Sequence, residues 1–219
     1  NGTRSNTEAL LDWAGNNTIT IDKLEYTSSS EFNFDGSTGR FINLGTQLTN
    51  TGNTVSIECW FKSTASDTSD FSLLMGWGNG NSYYSNIGIG NWFSNYGDES
   101  IHIGLNSASV VASYRGGHSL YHDNSWHHAV FVMGPANYKI YVDGESKPLS
   151  YSHGNSSVNV GDIFSFGQAN VISEIGNRPY GGGAGGFTGQ IPITRVYSRE
   201  LTADEVKTNF NALRGRYGI

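Results

Sequence analysis

The sequence predicts an all-β fold, a two-sheet antiparallel jelly-roll sandwich with one short C-terminal helix. Three observations predict it. Short runs with apolar residues at every second position recur along the chain, the period of a strand whose faces meet different surroundings. Turn residues separate the runs: the 219 residues include 29 Gly against 4 Pro, with abundant Ser, Asn and Thr. Aromatic residues can supply a sizeable core, at 5 Trp, 12 Tyr and 11 Phe, which argues against disorder. The length suits one domain over 1–219, and no internal repeat or linker divides it.

Residues 125–145, SWHHAVFVMGPANYKIYVDGE, organise the rest. Trp126, His128, Val130 and Val132 fall on one face at period two, and Ala129, Phe131 and Met133 on the other. Gly134-Pro135-Ala136-Asn137 is turn chemistry, after which Tyr138, Ile140 and Val142 alternate again. Asp143-Gly144 then signals a type I′ hairpin turn, which needs positive φ at both central residues. Apolar side chains on both faces place these strands centrally in a sheet.

The other elements follow in chain order. Residues 1–14 read as a polar arm or edge strand anchored through Leu11 and Trp13. Residues 18–26 alternate through Ile19 and Ile21, and Asp35-Gly36 marks a tight turn between two strands. In 55–63, Val55, Ile57, Cys59 and Phe61 share one face, with Glu58, Trp60 and Lys62 on the other. Cys59 is the single cysteine, which excludes an intrachain disulfide and a cysteine-cluster zinc site; a buried, inert thiol is expected. Residues 71–77, 100–105 and 109–114 read as strands, and 78–97 as an aromatic, Gly- and Asn-rich loop region. Short strands are expected at 149–151, 157–160, 163–166 and 172–175. Residues 187–197 form one long strand or a pair, with Ile191, Ile193 and Arg195 on one face.

Residues 201–214 are the one clear helix. Thr202 and Glu205 have capping-box spacing, Val206, Phe210 and Leu213 form an apolar stripe, and Gly215 is the expected stop. The helix is expected to pack on the sandwich edge or surface.

Motifs in this order resemble those of a known family. FNFDGSTGRFINLG (32–45), VSIECWFKS (55–63), WHHAVFV with KIYVDG, EIGNRP, and GFTGQIPITRVYSRELTADEV are similar to the laminin-G-like branch of the concanavalin A-like lectin/glucanase superfamily. The resemblance spans roughly 32–213 and implies the sandwich. Its style is similar to jelly-roll domains of bacteriophage structural and tail-fibre proteins, which implies a virion-surface or extracellular location and a larger or oligomeric assembly.

Function classes narrow by elimination. The net charge of −6, without a long run of one sign, argues against generic nucleic-acid or anionic-membrane binding. No stretch reads as a membrane span or signal peptide. Glucanases of the superfamily place paired carboxylates on one strand, in an E-x-D-x-(x)-E pattern that aims them into one cleft. That run is missing: Asp98-Glu99 would point to opposite faces, Asp204-Glu205 opens the helix, and Asp67 with Asp70 lies in a polar loop. The serine-hydrolase motif GxSxG is missing as well. Adjacent His127 and His128 point apart on a strand, so they cannot chelate one metal, and His128 reads as a packed structural residue. His118 and His122 beside Asp123 reach a metal only if their loop folds back. A non-catalytic protein is expected.

Aromatic–amide stretches suit a sugar, whose C–H face stacks on a ring while its hydroxyls meet amides. The candidates are Trp77, Asn79, Tyr83, Tyr84, Trp92, Tyr96, Asp98, Arg178 and Tyr180. The competing reading puts these rings in the core and the amides in turns. The family resemblance implies a calcium ion at a sandwich rim, with Asp12 and Asn16, Asp123 and Asn124, or Asp98 as ligands. Each is also an ordinary turn residue, and the turn reading is the favoured one. Three N-x-S/T triplets, at Asn1, Asn16 and Asn155, are expected by chance in this composition. The expected function is a glycan-binding module for adhesion or host recognition; a structural domain without a sugar site, or a glycan-cleaving enzyme, are the alternatives.

Overall fold

The computed structural model describes residues 19–22, 24, 32–37, 39–46, 54–65, 72–80, 83–90, 99–105, 111–117, 119–134, 137–151, 171–177, 179 and 186–219. Of Asn79, Gly80, Tyr83, Tyr84, Glu99, Leu105, Val111 and Tyr151 only the backbone is described. The expected strands at 157–160 and 163–166, and the arm at 1–14, lie outside these residues.

Two antiparallel sheets form the sandwich. One has eight strands: β1 (Thr20–Asp22), β3 (Phe41–Gly45), β13 (Ile172–Ile175), β5 (Ser72–Gly80), β6 (Tyr83–Ile89), β7 (Glu99–Leu105), β8 (Val111–Arg115) and β12 (Ser150–Tyr151), adjacent in that order. The other has six: β11 (Glu145–Lys147), β10 (Tyr138–Val142), β9 (Trp126–Met133), β4 (Val55–Ser63), β14 (Thr188–Tyr197) and β2 (Asn33–Asp35). The inner faces meet in one core. Ile57, Cys59, Phe61, Phe131 and Ile140 come from the six-stranded sheet, and Met75, Trp77, Ile87, Ile101 and Ile103 from the eight-stranded one. As the alternation requires, Val55, Ile57, Cys59 and Phe61 face inward. Cys59 is fully buried, and burial pushes its thiol up to about 12, so it stays protonated.

The central strands sit where their two apolar faces require. β9 lies between β10 and β4, and Asp143 and Gly144 take φ of 54° and 79°, the type I′ signature. The Asp35-Gly36 turn carries the chain between sheets, since β2 and β3 belong to different ones.

Three expectations are corrected. The 78–97 region is not all loop, because β5 runs to Gly80 and β6 begins at Tyr83, forming a hairpin. Ile191 and Ile193 do not share a face. Gln190 opposes Lys62 while Ile193 opposes Trp60, so one extra residue bulges and reverses the phase. Ile191 therefore joins the core, whereas Arg195 opposes Glu58 on the outer face. The helix α1 (Ala203–Tyr217) passes through Gly215 and ends at Gly218, whose φ is 75°. The extra turn brings Tyr217 against Trp60, with rings stacked 4.4 Å apart. That contact offsets the roughly 1 kcal/mol cost of a helical glycine.

α1 packs on the outer face of the six-stranded sheet. Val206 and Leu201 close a second cluster over Val130, Val132 and Tyr141, and Phe210 stacks on Trp60 at 5.9 Å. The capping box is complete: Glu205 N–H donates to Thr202 Oγ1 (3.2 Å) and Thr202 N–H to Glu205 Oε2 (2.8 Å).

Candidate functional site

Strand registers gather several loops at one rim. β4 ends there at Ser63, β9 begins there at Trp126, and β10 ends there at Val142. In the other sheet β6 ends at Ile89, β7 begins at Glu99, β8 ends at Arg115 and β13 ends at Ile175. Backbone bonds tie these ends together, the Phe187–Gly176 bond joining the two sheets. Gly36 N–H donates to Phe187 O (2.8 Å), Phe187 N–H to Gly176 O (3.0 Å) and Asn124 N–H to Ser63 O (3.0 Å).

Histidines and carboxylates order this rim. His127 starts β9 and lies between two aspartates: its Nδ1 is 3.0 Å from Asp143 Oδ2 and its Nε2 is 3.3 Å from Asp123 Oδ1. Burial works against a charged ring, but the two carboxylates outweigh it and raise the His127 pKa above its ordinary value. Asp143 Oδ1 also accepts from the His128 N–H (2.9 Å), fixing the hairpin turn to β9. Tyr121 meets the His127 ring edge-on at 5.0 Å. Ser63 Oγ and His122 Nδ1 are 2.7 Å apart, locking the 119–125 loop onto β4. Outside this scaffold the loop is open: Asp123, Asn124 and Ser125 are exposed, and Leu120 is 41% exposed.

The expected sugar-binding residues that are described lie in the core or at the far end of the sandwich. Trp77 is only 1% exposed and belongs to the core, so its ring offers no surface to a sugar. Asn79, Tyr83 and Tyr84 lie by their backbone in the β5–β6 hairpin, at the end opposite the rim. The 7 residues of β6 separate the two ends by roughly 20 Å. Trp92, Tyr96 and Asp98 lie outside the described residues, in a segment that leaves the rim at Gly90 and returns at Glu99. Arg178 and Tyr180 also lie outside them. Asp12, Asn16 and His118 lie outside as well.

Asp123 and Asn124 sit on the rim in turn roles. Asp123 Oδ1 accepts from Ser125 N–H (2.8 Å) and faces His127, and Asn124 takes the left-handed φ of 60° that asparagine tolerates. Among the described residues no three His, Cys, Asp or Glu side chains group to hold a metal ion.

Two polar constellations escaped the sequence reading. Beneath α1, the fully buried Glu58 carboxylate accepts from Arg195 Nη1 (2.7 Å), Tyr197 OH (2.7 Å) and Asn209 Nδ2 (2.9 Å). His128 Nε2, also buried, is 3.3 Å from Glu58 Oε1. Burial opposes ionisation of Glu58, but His128, Tyr197 and Arg195 reverse the balance and lower its pKa. The only signal in the sequence was an acid and a histidine on outward positions of central strands. On the outer face of the eight-stranded sheet, Asn86 and His102 are buried beside glycines. A Cβ at Gly104 would meet Asn86 Oδ1 at 2.7 Å, and one at Gly88 would meet the His102 ring at 3.0 Å. Burial pulls His102 down to about 4, so it is neutral at pH 7.

A sandwich with loops converged on one rim defines a class of β-sandwich domain, and comparison narrows it. The family described as the concanavalin A-like lectin/glucanases superfamily matches residues 34–207, and the chain belongs to that family. Similar solved structures include domain 4 of AbnA, a GH43 extracellular arabinanase from Geobacillus stearothermophilus, in complex with arabinotriose. It has 17% identity and a TM-score of 0.62 over 90% of each chain. The botulinum neurotoxin serotype C1 binding domain is 17% identical with a TM-score of 0.65, over 96% of this chain and 50% of that one. A Trypanosoma rangeli sialidase in complex with 2,3-difluorosialic acid is 15% identical with a TM-score of 0.58, over 90% of this chain and 29% of that one. This chain thus spans about half of the neurotoxin domain and under a third of the sialidase. At these identities the likeness is one of fold. No curated protein sequence matches significantly.

Proposed function

We propose that the chain is a non-catalytic carbohydrate-binding module of an extracellular or virion-surface protein, serving adhesion or host recognition. The observation that carries this reading is the rim itself. A scaffold of Ser63, His122, His127 and Asp143 supports an exposed loop, and Gly90, Glu99 and Asn177 lie at the same end. Recognition loops on a rigid sandwich are a recurrent way to build a binding surface. Support comes from the AbnA domain, similar over 90% of both chains and described in complex with arabinotriose. The missing glucanase carboxylate pattern supports binding over cleavage.

A single sugar site at millimolar Kd is worth only about −4 kcal/mol, so display of many copies supplies the useful avidity. The test is a glycan array probed with the protein clustered on beads, with calcium and again with chelator. Reproducible saccharide binding is expected, and its loss in chelator would make calcium part of the site. No binding to a broad array, despite clustering, would favour a structural or protein-interaction domain instead.

A further inference from the structure

The outer face of the six-stranded sheet continues past α1 to the rim, and there its chemistry changes. Lys62, the penultimate residue of β4, opposes Trp126, the first of β9. The Lys62 ammonium lies 5.1 Å from the Trp126 ring centroid, and Tyr217 from the end of α1 sits 4.7 Å from the same ring. Arg216 lies over Tyr217 at 5.7 Å. Trp126 and Tyr217 are half-buried and Arg216 is exposed. This makes an aromatic pair flanked by two cations at the edge of the proposed binding rim.

The cations are the informative part. Lys139 pairs with Glu200, Lys147 with Glu145, Arg195 with Glu58 and Arg199 with Glu205. Among the described residues Lys62 and Arg216 reach no carboxylate, and their contacts are to the two rings. In a chain of net charge −6, unpaired cations beside aromatic rings form a local positive spot. The sheet beside them is also incompletely satisfied, since the Trp60 indole N–H and the Gln190 Oε1 are buried without a hydrogen-bond partner among the described residues. Gln190 opposes Lys62 on β14.

We infer that this patch is an anion subsite for an acidic saccharide, one bearing a carboxylate or sulfate. Lys62 and Arg216 take the charged group, and the edges of Trp126 and Tyr217 meet the sugar ring. The inference rests on the carbohydrate-binding reading above and adds the charge of the ligand and its location. Lysine offers a point charge and arginine a planar fork, and both suit either anion.

Bead-clustered protein is tested against immobilised heparin as the sulfated probe, polygalacturonate as the carboxylated probe and dextran as the neutral one. Wild type is compared with the Lys62→Gln/Arg216→Gln double variant. Expected is binding to at least one acidic polymer, weakened about tenfold or more in the variant and steeply by salt, with an unchanged thermal midpoint. Heparin-only or polygalacturonate-only binding assigns the anion. Acidic-polymer binding that the variant leaves intact overturns the subsite. Binding to dextran alone overturns it while the carbohydrate-binding module stands. Binding to no saccharide, here or on the array, overturns both.

Discussion

The outer face of the six-stranded sheet has two halves built from the same strands. Under α1, Glu58 on β4 is fully buried and accepts from three donors on two elements. A few residues along the same strand, Lys62 faces an indole and, among the described residues, reaches no carboxylate. One half is covered by the helix and pairs its carboxylate within the fold; the other is open, with its cations set against aromatic rings. A buried charge is tolerated only when its partners are supplied within the fold, whereas an exposed one can wait for a partner from outside. Stability should therefore be concentrated in the first half and binding in the second.

The largest expected effect breaks the closed half. Glu58→Gln removes the charged acceptor shared by Arg195, Tyr197 and Asn209 and should cost about 2–3 kcal/mol, the range for hydrogen bonds to a charged group, because the Arg195 left behind is partly exposed to water. Urea unfolding would measure it, and a loss below about 1 kcal/mol would show that the network is dispensable. A smaller effect loosens the same half from its margin. Thr202→Ala removes the oxygen that accepts from Glu205 N–H and should cost about 1 kcal/mol. Glu205 itself, held down to about 2 by its bidentate contact with Arg199, should stay ionised throughout an ordinary pH titration.

The smallest effect sharpens the rim. The His127 pKa is raised in the folded protein, so its ion pairs stabilise fully below the unfolded value of about 6.5. That contribution is lost as pH rises through the folded pKa. His127→Gln should therefore narrow the stability difference from wild type as pH is raised above neutrality, read as thermal midpoints across the titration. A difference that grows with pH would contradict the assignment.

Much of the sandwich could be read in the sequence because its signals are local. The alternation in 55–63 and 126–133, the Asp143-Gly144 turn and the Thr202–Glu205 box each depend on neighbours a few residues apart. What escaped depends on distant partners. The β14 bulge is a mismatch with β4 that nothing within GQIPITRV announces. The strand β6 looked like a loop because its Asn86 and Gly88 lack strand propensity, yet Gly88 makes room for the His102 ring. Gly215 failed as a helix stop because Tyr217 has aromatic partners on another element. The Glu58 cluster joins residues 137 to 151 positions apart, so no motif could carry it. For the site, the sequence offered Trp77, Tyr83 and Tyr84 together, but Trp77 is buried in the core while Tyr83 and Tyr84 begin β6 at the end opposite the rim.

The most direct measurement is a map of backbone and indole N–H chemical shifts as a bound saccharide is titrated in. The account predicts movement of the Trp126 indole and of the amides of Ser63 and residues 120–127, with the buried Trp77 indole and the amides of Tyr83 and Tyr84 unmoved. A footprint centred on the β5–β6 hairpin, with a silent Trp126, would place the function at the opposite end of the sandwich and contradict it.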